Sequence, residues 1–79
     1  MLENITFNEL YEYIRENSDG DYNLLSYLDG FVKNMIDNSL YYAIFSWSES
    51  EIFSIDININ NDNIVTYDVY KISNKLVER

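Results

Sequence analysis

The fold is decided by the stretch FSIDININNDNIVTYDV, residues 53–69. Apolar and polar residues alternate on both sides of an asparagine-rich centre, and a period of two is typical of half-buried β-strands. A three-residue loop, 61–63, sets the isoleucines of the first strand opposite Val65, Tyr67 and Val69 on one face. A four-residue loop would bury an aspartate among these isoleucines, and a buried unpaired charge is costly. The stretch therefore predicts an antiparallel hairpin with the three-residue loop.

This register determines two further features. Asn63 takes the third loop position, where a left-handed backbone is typical. On the outer face, Asp56 lies directly opposite Asp68, and like charges in such a cross-strand pair destabilise a sheet slightly. Because the two aspartates weaken the fold, we interpret them as candidates for binding.

Two helices are predicted before the hairpin. Thr6 and Glu9 have the spacing of a capping box, in which each side chain accepts a hydrogen bond from the other residue's backbone N–H. Apolar residues then recur with a period of 3.6, which predicts a helix over 7–17. Gly20 follows this helix, and it is able to take a left-handed backbone conformation. The same period predicts a second helix over 22–37.

Three strands complete the expected single domain, and they span residues 40–47, 52–60 and 64–72. Two helices followed by a run of strands are typical of an α+β domain. We expect both helices to pack on one face of a three-stranded antiparallel β-meander. Residues 73–79 are predicted to form a tail or a short helix.

The first of these strands, 40–47, is apolar on both sides. Its alternate sets are Leu40, Tyr42 and Ile44 on one side and Tyr41, Ala43, Phe45 and Trp47 on the other. The loop that follows permits either register, so the pattern leaves open which set faces the core. In a meander this strand lies at an edge, and an exposed apolar edge indicates strand pairing or docking.

Charge is distributed unevenly along the chain. The net charge is −9, but residues 1–70 alone carry −11, and residues 71–79 carry +2. An acidic body of this kind repels phosphate backbones and anionic lipids, so we expect neither direct nucleic-acid binding nor membrane binding. A basic, Lys/Arg-rich protein surface is the complementary partner. The alternative is that the acidity serves only solubility.

The composition offers little for catalysis or for cofactor and metal binding. Histidine and cysteine are absent, and glycine occurs only twice. Asp56 and Asp68 could form a paired acid and base, but such a pair needs a cleft. We therefore expect no enzyme activity, no cofactor and no metal. The sequence shows no export signal or long apolar run, which predicts a cytoplasmic protein, or one of the host cytoplasm if a phage encodes it.

The candidate binding residues fall into two groups. The first is an acidic stripe on the first predicted helix, formed by Glu9, Glu12 and Glu16 and extended by Asp19. No base is expected on that stripe, and the alternative for it is an ordinary solvated helix face. The second group combines the opposed aspartates with nearby aromatic residues: Asp56, Asp68, Tyr42, Trp47 and Tyr70.

In size, acidity and aromatic content the chain resembles the small phage-encoded inhibitors that mimic DNA, among them anti-CRISPR proteins and inhibitors of DNA-repair or restriction enzymes. The resemblance concerns the type of protein, and no functional residue is carried over from it. It implies that carboxylates stand in for phosphates on the basic surface of a nucleic-acid-binding protein or nuclease. Two other functions fit the same features: an immunity-type protein against a basic toxin, and a homodimeric structural or regulatory module that uses the apolar edge strand.

Overall fold

The computed structural model describes residues 1–20 and 22–72. Within them the elements follow in the order β1 (Leu2–Ile5), α1 (Phe7–Glu16), α2 (Tyr22–Asp37), β2 (Tyr42–Ser48), β3 (Glu51–Ile59) and β4 (Val65–Lys71). The segment predicted as a tail or short helix, 73–79, lies outside the described residues.

The strands form one antiparallel sheet in the order β1-β4-β3-β2. The predicted α+β class is confirmed, but the number of strands was wrong, because the sheet has four strands and three were predicted. The additional strand is β1, which pairs Leu2 with Val69 and Ile5 with Tyr67. Its register shifts between these pairs at Asn4, whose φ is +54°. A four-residue strand with an irregular register has no period of two, so only its pairing with β4 reveals it.

The first helix begins with the predicted capping box. The Glu9 N–H donates to Thr6 Oγ1 at 3.2 Å, and the Thr6 N–H donates to Glu9 Oε1 at 2.9 Å. At the other end of α1, the Lys71 ammonium donates to the Asn17 carbonyl at 2.8 Å. This contact satisfies a free carbonyl and places a positive charge at the helix C-terminus, where the helix dipole favours it.

Gly20 does not adopt the left-handed conformation that is open to it, since no glycine in the described residues has a positive φ. What this position requires is space. A Cβ added to Gly20 would lie 2.5 Å from Cδ2 of Leu24, a side chain that is fully buried. The glycine therefore allows the chain between the helices to pass close to the core residue Leu24.

The second helix ends in a Schellman motif, and this explains why the next strand starts later than predicted. The Leu40 N–H donates to the Met35 carbonyl at 2.8 Å, and the Ser39 N–H donates to the Ile36 carbonyl at 3.1 Å. The backbone of Ser39 is left-handed, with a φ of +56°. This is the hydrogen-bond pattern of the motif, so Leu40 belongs to the end of α2. The strand predicted from residue 40 consequently begins at Tyr42.

The register predicted for the β3–β4 hairpin is confirmed. Ile57 pairs with Tyr67, and Asp56 pairs with Asp68. Asn63 has a φ of +62°, as expected for the third position of the loop. Ile59 lies on the same face as Ile57 but is 42% exposed, because the core does not reach the tip of the hairpin.

Both helices cover the same face of the sheet, which we call the inner face; the opposite face is the outer face. The core between the helices and the inner face consists of Ile5, Leu10, Ile14, Leu24, Leu28, Val32, Met35, Phe45, Phe53, Ile55, Ile57, Tyr67 and Val69. Ala43 and Phe45 pair with Ile55 and Phe53, which settles the open orientation of β2. Tyr42 and Ile44 consequently point to the outer face, which neither helix covers.

Candidate functional site

Three residues form a row across the outer face. Tyr42 on β2 lies opposite Asp56 on β3, which lies opposite Asp68 on β4. Directly opposed residues of an antiparallel pair have Cα atoms about 4.5–5.5 Å apart, so the two carboxylates and the tyrosine ring are close neighbours. The structure thus brings together three of the residues that the sequence proposed for binding.

A second row runs beside the first and is mainly apolar. Ile44 lies opposite Ser54, which lies opposite Tyr70. Ser54 is only 2% exposed because the larger side chains on both sides shield it, whereas Ile44 is 42% and Tyr70 44% exposed. The outer face therefore places an acidic row next to an apolar row, and Ile44 is an exposed apolar residue whose direction the sequence left undecided.

Asp68 has a structural role that the sequence did not reveal. Its Oδ1 accepts a hydrogen bond from the backbone N–H of Asn4 at 2.8 Å and another from Nδ2 of Asn58 at 3.1 Å. The first of these bonds fixes β1 at the point where its register shifts. Asp68 therefore contributes to the fold through β1, although it lies directly opposite another aspartate.

Asp56 differs from Asp68 in this respect, since no hydrogen-bond or ion-pair partner for it exists among residues 1–20 and 22–72. No described base lies beside it on the outer face. Lys71 faces the helices, opposite Phe53, and Lys33 pairs with Asp29 on α2 at 3.2 Å. Within the described residues, the Asp56 carboxylate is thus unpaired.

The three glutamates of the acidic stripe have different roles. Glu9 closes the capping box, and Glu12 forms an ion pair with Arg15. The expectation that no base lies on this stripe was therefore wrong, and the Glu12 carboxylate raises the pKa of Arg15 above its ordinary value by a hydrogen bond and by charge. Glu16 is exposed at the end of α1. All three glutamates border an open groove of about 350 Å³ beside the β1 residues Leu2 and Ile5.

The strand β1 joins the two acidic groups into one. Asp68 accepts from the N–H of Asn4, and Glu9 accepts from the N–H of Thr6. Two residues of chain span at most about 7 Å, so these two nitrogen atoms, and the carboxylates bound to them, lie near each other. We call the combined region the acidic surface; it consists of Glu9, Glu12, Glu16, Asp56 and Asp68.

Two of the proposed residues lie away from this region. Asp19 is beyond the end of α1, where its N–H donates to Oε2 of Glu51 at 2.8 Å. Trp47 is half-buried on the inner face, where it stacks on Phe45 and meets the Tyr27 ring edge-on at a centroid distance of 5.7 Å. Tyr42 and Trp47 consequently point to opposite faces of β2.

Metal-binding groups and membrane-spanning helices are both absent from the described residues. Residues 1–20 and 22–72 contain no group of three or more acidic side chains placed to hold a metal ion. In the same part of the chain, no helix has the length and apolar character needed to cross a membrane.

Comparison of the chain with protein-family models, with curated proteins and with solved structures gives no match. The function is therefore inferred from the geometry of the acidic surface and its aromatic neighbours.

Proposed function

We propose that this protein is a non-enzymatic inhibitor that covers the basic, nucleic-acid-binding surface of another protein. The observation that carries the proposal is the acidic surface, which continues across β1 from the first helix to the outer sheet face and includes an aspartate without a partner in the described residues. Carboxylates in this arrangement would take the positions of phosphates on a Lys/Arg-lined channel. The mechanism is occupancy of that channel.

The neighbouring apolar row supports a protein partner over a free cation. Ile44 and Tyr70 are 42% and 44% exposed beside the acidic row, and Tyr42, at the end of the acidic row, is 56% exposed. Tyrosine is enriched at protein interfaces, where a few large side chains carry most of the binding free energy. The carboxylates would accelerate encounter with a basic surface, and the aromatic side chains would slow dissociation.

The test begins with capture of partners from the organism that encodes the chain, with the purified protein as bait. We expect a Lys/Arg-rich nucleic-acid-binding protein or nuclease, and we expect duplex DNA to compete for it. Association should slow as the ionic strength rises from about 0.01 M to 0.15 M, because the screening length falls from about 30 Å to 8 Å. An association rate that does not respond to salt would contradict recognition by charge.

A matched pair of variants separates the acidic surface from net charge. Glu16→Gln combined with Asp56→Asn changes two residues of this surface, and Glu49→Gln combined with Asp62→Asn makes the same chemical change in exposed loops. If the two carboxylates meet arginines in a desolvated contact, we expect the first variant to lose about 1–3 kcal/mol of binding free energy. The loop variant should bind nearly as well as the parent. Equal losses in both variants would mean that only the total charge matters.

A further inference from the structure

At the edge of the sheet, β2 presents backbone groups that have no strand partner among residues 1–20 and 22–72. The Ile57 N–H donates to the Tyr41 carbonyl at 2.9 Å, so residue 41 directs its polar groups toward β3. These directions alternate along an antiparallel strand. The N–H and C=O groups of Tyr42, Ile44 and Ser46 therefore point away from the sheet, in the geometry that another strand would need.

From Tyr42 to Ser46 this edge lacks the charge, the proline and the short length that usually prevent strands from pairing, and its register shift lies beyond this stretch, between Ser46 and Ser48. The strand Tyr42–Ser48 contains no charged residue and no proline, in a chain with a net charge of −9. Native proteins commonly protect an exposed edge with a charge, a proline, a bulge or a very short strand. The opposite edge of the sheet follows this rule, because β1 has only four residues and an irregular register.

We propose that β2 pairs antiparallel with β2 of a second copy of this chain, centred on Ile44, to form a continuous eight-stranded sheet. In this register the backbone N–H and C=O groups of Ile44 form hydrogen bonds with the C=O and N–H groups of Ile44 in the second copy. Tyr42 and Ser46 pair in the same way. A two-fold interface requires a self-complementary surface, and this strand has one.

The side chains of the inner face also complement each other in this register. Ala43 lies opposite Phe45 of the second copy, so a small side chain meets a large one on both sides of the two-fold axis. Tyr41 lies opposite Trp47 of the second copy. No pair in this register brings two charges together, because residues 40–48 carry none.

An aromatic groove beside β2 accommodates Tyr41 of the second copy. The groove has a volume of about 610 Å³ and lies between α2 and β2, where Tyr27, Phe31 and Trp47 line it. Gly30 on α2 forms part of its wall, and a Cβ added there would meet nothing within 4 Å. A glycine inside a helix lowers helix stability. Its effect here is to leave room for an aromatic ring.

The available area suits a dimer of moderate affinity. Tyr27, Tyr41 and Tyr42 are 63%, 49% and 56% exposed. If a tyrosine offers about 200 Å², these three contribute about 340 Å² per copy. Specific interfaces bury at least about 600 Å² per copy, so Leu40, Ile44 and the strand backbone would have to supply the remainder. An interface near this lower limit dissociates on dilution.

The dimer would leave the acidic surface exposed, since both copies would present their outer faces on the same side of the joined sheet. The inference does not rest on the proposed function, although Tyr42 and Ile44 would contribute to both interfaces, and the effect of salt distinguishes the two. Two copies with a charge of −9 repel each other, so added salt should strengthen the dimer, whereas it should weaken binding to a basic partner.

The test is sedimentation velocity of the purified protein over a concentration series at low and high salt. We expect a monomer–dimer equilibrium that shifts toward the dimer as salt increases. Ile44→Lys should raise the dimer dissociation constant by at least about tenfold, because two lysines would face each other across the axis. Ile64→Lys is the matched control, since Ile64 is 55% exposed and lies in the hairpin loop just before β4, which β3 separates from the edge.

A second variant acts without changing the strand. Gly30→Gln introduces a good helix former on α2 and fills part of the aromatic groove, so we expect a more stable fold and a weaker dimer. In a sample that mixes labelled and unlabelled chains, the register predicts an intermolecular nuclear Overhauser effect between Ala43 Hα and Phe45 Hα.

The proposal is overturned if the parent protein is monomeric throughout the concentration series at both salt concentrations. It is also overturned by a dimer that tolerates both Ile44→Lys and Gly30→Gln, or by a dimer that salt weakens. These results test the pairing of β2 with a second copy, whichever protein binds the acidic surface.

Discussion

The two faces of the sheet are made by the same strands but differ in what they contact. On the inner face, Phe53, Ile55 and Val69 are at most 1% exposed beneath the two helices. On the outer face, Tyr42 and Tyr70 are 56% and 44% exposed, and neither helix covers them. In a strand, successive side chains point to opposite faces, so one segment can supply the core and a binding surface at the same time.

The two faces are constrained to different degrees in a chain of 79 residues. A core this small leaves little free energy to spare, so the inner face has to remain well packed. The outer face is less constrained because its side chains contribute little to packing. It can hold carboxylates directly opposite each other, an arrangement that would not be tolerated in the core.

The largest expected effect is the difference in unfolding free energy between a substitution on the inner face and one on the outer face. Phe53→Ala removes a fully buried ring that meets Tyr13 edge-on, and we expect it to lower the free energy of unfolding by about 3–5 kcal/mol. Tyr70→Ala on the outer face should cost less than about 1 kcal/mol. Urea unfolding followed by circular dichroism measures both values. Similar losses at the two positions would mean that another part of the protein covers the outer face.

A smaller difference in unfolding free energy is expected between substitutions at two residues of the outer face, Asp68 and Asp56. Asp68→Ala removes the acceptor for Asn4 and Asn58, so we expect a loss of about 1–2 kcal/mol of unfolding free energy. Asp56→Ala removes only the repulsion from Asp68 and should be neutral or stabilising by a few tenths of a kcal/mol. The same urea experiment compares them. If Asp56→Ala is the more damaging change, Asp56 has a structural partner and its assignment to binding is wrong.

On the sequence alone, the opposed aspartates are expected to be equivalent. That expectation applied the repulsion between the charges to both residues. The hydrogen bond from β1 makes Asp68 a structural residue, while Asp56 keeps the character expected of a binding residue.

The smallest effect at neutral pH concerns Tyr67 on the inner face. Burial, and to a lesser degree the charge of Asp29, raise the pKa of Tyr67 above its ordinary value of 10.0. The neutral phenol is therefore favoured in the folded state, and its contribution to stability is present below the pKa of the unfolded chain and is lost as the pH rises through the folded value.

Comparison of the parent with Tyr67→Phe tests this dependence. The difference in unfolding free energy between the two proteins should be constant near pH 7 and should shift in favour of the phenylalanine variant above about pH 10. Chemical unfolding at a series of pH values measures the difference. A constant difference up to pH 11 would show that Tyr67 titrates at its ordinary value.

The sequence by itself determined the features that depend on neighbouring residues. The capping box of Thr6 and Glu9 and the left-handed Asn63 involve residues at most a few positions apart. The hairpin register followed from the cost of burying an aspartate, because a shift by one residue reverses which face every side chain occupies. The local patterns of these residues contained the physical information that was needed.

Only the tertiary structure decided what depends on contacts between distant parts of the chain. The strand β1 exists because the edge of β4 offers it hydrogen bonds, and its own four residues have no recognisable period. The direction of Tyr42 and Ile44 depended on the pairing of β2 with β3, since both sides of β2 are apolar. Asp68 acquired its structural role from Asn4, which lies 64 residues earlier in the chain. Such pairings depend on which surfaces meet when the chain folds, and a local sequence pattern does not contain that information.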